Sequence, residues 1–122
     1  MSKIDINISP ISLARAVDGK YCYDVTSLIK QIEEQKLEVF DFPIAAFNMR
    51  SFPWDDIKTY RDFLSHCKRV QEANLDYPII LHCDGWIMDG AHRICKAILE
   101  GQETIKAYRF INEPKYTSIE EE

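Results

Sequence analysis

The chain has 122 residues, with 46% apolar and 29% charged residues and a formal net charge of −5. That length suits one domain with a real core, and the composition is that of a globular protein. The charge opposes sequence-independent binding to nucleic acid, which needs a basic face. Residues 113–122 hold four glutamates against one lysine, a net of −3, so the other residues carry −5 − (−3) = −2. No run approaches the ~20 apolar residues that span a bilayer. The N-terminus lacks an apolar signal core, so a cytoplasmic location is expected. Cys22, Cys67, Cys83 and Cys95 form no Cys-x-x-Cys pair and read as reduced core thiols.

Lys3 to Ile8 alternates, with Ile4, Ile6 and Ile8 on one side, and predicts a short strand. Ser9 and Pro10 then suit a helix start, with Pro10, Leu13, Ala14 and Val17 on one face and Gly19 as the stop. Asp24 looks like the cap of a second helix, in which Val25, Leu28, Ile29 and Ile32 recur at helical spacing to about Gln35. Phe40, Phe42 and Ile44 alternate, and Pro43 lacks a donor, so this stretch predicts an edge strand. Asn48 to Asp56 reads as a loop. Its Phe52 and Trp54 are core lids in the favoured reading, or an aromatic platform for a base.

Lys58 to Glu72 carries the best helical pattern in the chain. Tyr60, Phe63, Leu64, Cys67 and Val70 share a stripe, and Arg61, Asp62, Lys68, Arg69 and Glu72 lie off it. His66 neighbours the stripe and reads as a half-buried structural residue. Strands are expected at Pro78–His82 and Trp86–Asp89, joined by a tight turn at Cys83-Asp84-Gly85, and again at Thr104–Phe110. Strand alternation would send His82 and Cys83 to opposite faces, so no metal-ligand set is expected there. Residues 113–122 read as an acidic, flexible tail on a domain spanning residues 1–112.

The stretch around which the reading turns is Asp89-Gly90-Ala91-His92-Arg93, where an apolar strand ends and a helix opens that runs to Glu100 and Gly101. Such a turn aims backbone N–H groups and the positive end of the helix dipole at whatever lies above the strand. His92 and Arg93 would add donors, and a guanidinium matches phosphate oxygens two at a time. Asp89 reads as a helix cap in the simplest view, and Arg93 as exposed until a ligand arrives.

With Pro78-Ile79, Gly85, Ala97, Gly101 and Ile105 around it, this motif resembles the superfamily that joins ParB N-terminal domains, sulfiredoxin and an ADP-dependent free-serine kinase. Asn48-Met49-Arg50 is similar to an upstream segment of that family. The resemblance implies an α/β (α+β) fold: a single compact domain with a small mixed sheet packed with helices. It also implies that Asp89, Gly90, Ala91, His92 and Arg93 hold nucleotide phosphates, with Asn48 and Arg50 as further candidates. The ligand would be ATP, ADP or CTP, with Mg²⁺ as a companion.

The departures narrow the activity. Ala91 stands where sulfiredoxin has its catalytic cysteine and where CTP-switching ParB proteins have a glutamate. Sulfinic-acid reduction is therefore not expected, and neither is centromere binding through a helix-turn-helix after this domain. A phosphotransferase would need an upstream carboxylate base, for which Glu38 and Asp41 are the candidates. The alternatives are a non-catalytic regulatory or protein-interaction module with a degenerate pocket, and a DNA-associated accessory protein, which the charge opposes.

Overall fold

The computed structural model describes residues 3, 5, 6, 15–51 and 53–120. They form a mixed α/β domain with two sheets and three helices. Their first element is an antiparallel hairpin, β1 (Arg15–Asp18) and β2 (Tyr21–Asp24), in which Ala16 faces Tyr23. The expected helix through Val17 is thus a strand where it is described; its start, and most of the expected strand from Lys3 to Ile8, lie outside the described residues. Gly19 does take a positive φ of 59°. A helix C-terminus and a two-residue hairpin turn both ask for that conformation, so the glycine alone could not separate them. Period-two burial decides it: Ala16 is buried and Val17 exposed.

Helix α1 (Val25–Gln35) follows, as its spacing predicts, and buries Val25, Leu28 and Ile32. Asp24 occupies the cap position, but its side chain makes no capping bond. Strand β3 (Phe40–Pro43) is an edge strand, as Pro43 requires. Helix α2 (Tyr60–Glu72) starts with a reciprocal capping box: Asp62 N–H donates to Thr59 Oγ1 and the Asp62 carboxylate accepts from Lys58 and Thr59 N–H. Its expected buried stripe is not a core face. Tyr60 is 89% exposed, and Phe63 and Leu64 are also exposed. The helix is held largely by polar contacts. Lys96 Nζ donates to the carbonyls of Gln71 (3.0 Å) and Ala73 (2.7 Å) at its C-terminal end, where the dipole favours a cation. Arg61 and Lys68 donate to the carbonyls of Asp5 and Ile6.

The mixed sheet has the order β3-β6-β4-β5, built from β4 (Ile79–Leu81), β5 (Ile87–Asp89) and β6 (Thr104–Arg109) beside β3. β4 pairs antiparallel with β5 and parallel with β6, and α3 (Ala91–Leu99) makes the crossover between them. Alternation along β4 divides the core. Ile79 and Leu81 pack with Ile94, Ala97, Ile105 and Ala107 beneath α3. Ile80 points the other way, to Leu28, Ile32, Tyr23 and Phe110. Burying Ile94 alone is worth about 1.5–3 kcal/mol.

Two expectations about the end regions of these elements are corrected. Strand β4 stops at Leu81, and Gly85 N–H bonds back to the His82 carbonyl at 2.8 Å. Alternation therefore no longer governs His82 and Cys83, and they come together, with Cys83 Sγ 3.6 Å from His82 Nδ1. Residues 113–120 are also not a loose tail. β7 (Ser118–Ile119) adds to β2, giving the three-stranded order β1-β2-β7. The amide of buried Gln31 pairs with both backbone groups of Lys115, as a strand neighbour would, and Glu113 accepts from Tyr23 Oη at 2.8 Å. A run of glutamates signals solvent, but the pairing is made by backbone, which composition does not register. No helix among the described residues is long and apolar enough to cross a membrane.

Candidate functional site

Strand β5 ends at Asp89, and Gly90 turns the chain into α3 with φ 111° and ψ 20°. A Cβ there would sit 2.4 Å from Ile79 Cγ2, so glycine alone lets the start of α3 lie directly on β4. No side chain caps α3. The expected helix is therefore in place, and no side chain takes up its first amides.

The side chains of the motif are arranged differently from the expectation. Arg93 is not exposed; its side chain is 15% accessible. It folds back over the turn, donating to the carbonyls of Tyr77 (2.9 Å) and Pro78 (2.6 Å) and pairing with the Asp89 carboxylate. Asp89 is thus the counterion of Arg93 rather than a cap. The i, i+4 spacing of the pair is legible in the sequence, but the pairing needed the strand to end where it does.

His92 is half-buried. Its ring stacks on Trp54, with centroids 4.6 Å apart, and its Nε2 lies 2.8 Å from His66 Nδ1. His66 Nε2 in turn lies 3.1 Å from both carboxylate oxygens of Asp56. Burial first, then the charges of His66, Arg69 and Arg93, push the His92 pKa down to about 4. His92 is consequently neutral near pH 7, so any contact it makes to a phosphate is that of a neutral imidazole. Trp54 is here a partner of the two imidazoles, a role that its position in a loop did not signal.

Beside this turn lies a cleft of about 620 Å³, a common size for a small-molecule site. It is bounded by α1, α2 and the mixed sheet, and Asp89, Gly90, His92 and Arg93 line one end. Ile29, Ile32, Ile80 and Tyr108 form an apolar wall. Arg69 reaches in from α2, and its Nε is buried with no hydrogen-bond partner among the described residues. Glu33 and Glu72 are also at the cleft. Arg69 sits off the apolar stripe of α2, so the sequence reads it as a solvated residue.

The remaining candidates are elsewhere. Glu38 is exposed between α1 and β3, and Asp41 is exposed on β3 opposite Lys106. Asn48 and Arg50 share an exposed turn in which Arg50 N–H donates to Asn48 Oδ1. None of these lines the cleft, and neither does Ala91. The sheet order explains the separation: β6 and β4 lie between β3 and the β5 end from which α3 departs.

The architecture is that of a small mixed α/β domain with a cleft at a strand-to-helix turn. No protein-family model matches the chain, and no curated protein or solved structure matches it either.

Proposed function

We propose that this domain binds a small anionic ligand, a nucleotide (ATP, ADP or CTP) or another phosphorylated small molecule, in the cleft beside the Asp89–Arg93 turn. The observation that carries this reading is Arg69 at the cleft, a cation whose buried Nε has no hydrogen-bond partner among the described residues. An unmet buried donor costs about 1–3 kcal/mol, and a small turn of the guanidinium toward a ligand oxygen would recover that cost. The uncapped start of α3 supports the same polarity of ligand, and the apolar wall suits a base or another flat group. In this reading the phosphate is met by Arg69 and backbone amides, while Arg93 and Asp89 brace the turn. Glu33 and Glu72 offer oxygens to a phosphate-bound Mg²⁺. The resemblance of Asp89-Gly90-Ala91-His92-Arg93 to the ParB/sulfiredoxin motif points to the same turn.

A second reading, phosphoryl transfer, is favoured by the Asp56–His66–His92 file, which ends in a neutral imidazole at the cleft. There the base would be His92 rather than Glu38 or Asp41.

The test is a thermal titration of wild type and Arg69→Met with ATP, ADP, CTP and inorganic phosphate, each with and without Mg²⁺. A ligand at a hundredfold excess over its Kd adds about 2.7 kcal/mol. For a chain of this size that is a rise of about 10 °C. Arg69→Met should lose most of the rise while keeping its unliganded stability, because methionine removes a donor that has no partner. No rise with any ligand, or an equal rise in Arg69→Met, refutes the reading.

A further inference from the structure

Among the described residues, the buried polar side chains are Gln31, 8% accessible, and His82, 2% accessible. Both spend side-chain bonds on the same stretch of chain, the segment that ends in β7. The Gln31 amide donates to the Lys115 carbonyl at 3.0 Å and accepts from the Lys115 N–H at 2.9 Å. His82 Nε2 lies 2.6 Å from Glu113 Oε2, and Tyr23 Oη donates to Oε1 of the same carboxylate at 2.8 Å. Asp24 N–H donates to Thr117 Oγ1 at 2.9 Å, and Thr117 N–H donates to the Cys22 carbonyl at 2.7 Å. β7 then pairs along the edge of β2, with Cys22 opposite Ser118 and Tyr21 opposite Ile119. The rest of the domain thus presents a groove that reads an extended chain three ways: by a carboxylate, by both backbone groups of one residue and by a hydroxyl.

Such a groove is costly to leave empty. Without the segment, Gln31 and His82 would lose these bonds while buried, and β2 would become an open edge. The segment itself is scarcely packed: of residues 111–120 only Pro114 is buried. It is held by hydrogen bonds that another copy of the same sequence makes identically. Its link to the body is also short. Phe110 is buried and its N–H donates to the Leu81 carbonyl, and Glu113 is held at His82, so Ile111 and Asn112 alone turn the chain. Ile111 is 77% exposed, a large apolar side chain left in solvent at the link itself.

We propose that this groove takes residues 113–119 of a second copy as well as its own, so that two chains exchange the segment and form a two-fold dimer. Each Glu113 then meets the His82 and Tyr23 of the other copy, and each Lys115 meets the other's Gln31. Every groove contact of the closed form is kept. The two straightened links run side by side about the two-fold axis, where each Ile111 gains an apolar neighbour. Exchange of an identical element is a low-cost route to a dimer, and a short link invites it. Because the groove contacts are equal in the closed and exchanged forms, the link, and not the groove, sets the affinity of the dimer.

The test is sedimentation velocity on the full chain, equilibrated in mild urea at high and at low protein concentration and then returned to native buffer. A dimer should form at high concentration and be rare at low concentration. Deleting Asn112 removes half of the turning link and should shift the chain to dimer at both concentrations, with its far-UV circular dichroism retained. Glu113→Ala, a change at an exposed side chain, separates exchange from ordinary association. In the otherwise unaltered chain it weakens both forms alike, so the dimer Kd should change less than ~2-fold. In the chain lacking Asn112, whose closed form is strained, the same substitution should weaken the dimer at least ~10-fold. Absence of a wild-type dimer at high concentration overturns the proposal. A wild-type dimer that Glu113→Ala weakens ~10-fold, or a deletion-chain dimer that it leaves unweakened, overturns it too and assigns the contact to another surface.

Discussion

Lowering the pH should destabilise the fold through His92, and the size of the effect follows from its surroundings. The imidazole has an ordinary pKa of 6.5 and one of about 4 in the fold, depressed chiefly by burial. It faces His66 and Arg69 on α2 and Arg93 on α3, with Asp56 as the nearby acid of opposite effect. Above about pH 6.5 His92 is neutral in both states and adds no pH dependence. Between that value and about pH 4 the unfolded chain takes up a proton that the folded chain does not, so stability falls as the pH falls. Integrating this difference from about pH 7 to about pH 5 gives a loss of about 2 kcal/mol. The window closes before most carboxylates titrate, which keeps Asp62 and Glu113 out of it; both are held below their ordinary values, chiefly by hydrogen bonds from Lys58 N–H and from His82. Urea unfolding at the two pH values measures the loss in wild type and in His92→Gln. The variant starts less stable, having lost the stack on Trp54, but its stability should change about 2 kcal/mol less across the window. Equal losses in the two proteins would show that His92 is an ordinary histidine and that the Asp56–His66–His92 file does not hold it neutral.

Two stability predictions accompany it. Gly90→Ala puts a methyl group 2.4 Å from Ile79 Cγ2 and 2.8 Å from its Cβ. It also forces a positive φ on alanine, for a combined cost of about 2–5 kcal/mol. Gly19→Ala has the positive φ but no neighbour within 4 Å, so it should cost only about 1–2 kcal/mol in the same urea melts; equal losses would refute the close packing of Gly90 on Ile79. Arg93→Ala should destabilise by about 2 kcal/mol, because it leaves the Asp89 carboxylate and two carbonyls without their donor. An unchanged melting temperature would return Arg93 to the role of an exposed, ligand-seeking cation.

The sequence by itself determined the elements whose signals are local. Residues 25–35, 79–81, 87–89, 91–99 and 104–109 each carry a clear period and end at turn or cap residues, and each forms as that period requires. The glycine at position 90 was legible for the same reason, since a strand that turns at once into a helix needs a residue tolerant of positive φ. What each face meets was not local. The apolar stripe of α2 predicts a core that Tyr60, Phe63 and Leu64 do not join, because a stripe states what a helix could bury and not whether a partner arrives. Gly19 served two conformations equally, and only pairing with Tyr21–Asp24 chose the strand.

The candidate sites divide the same way. Sequence spacing marked the Asp89–Arg93 turn, but tertiary structure decided that Arg93 is spent on Asp89 and on the carbonyls before β4. It also brought Asp56, His66 and Trp54 to His92 and Arg69 into the cleft. Glu38, Asp41, Asn48 and Arg50 had the right chemistry and were left outside, across two strands of the sheet. His82 and Glu113 lie 31 positions apart, by 113 − 82, and meet at 2.6 Å only because the final segment is fastened against β2 and α1. A period of two or 3.6 residues reports the backbone of one element. Charge pairing, hydrogen-bonded files and buried unmet donors arise between elements, and the order of strands in the sheet fixes which of them can meet.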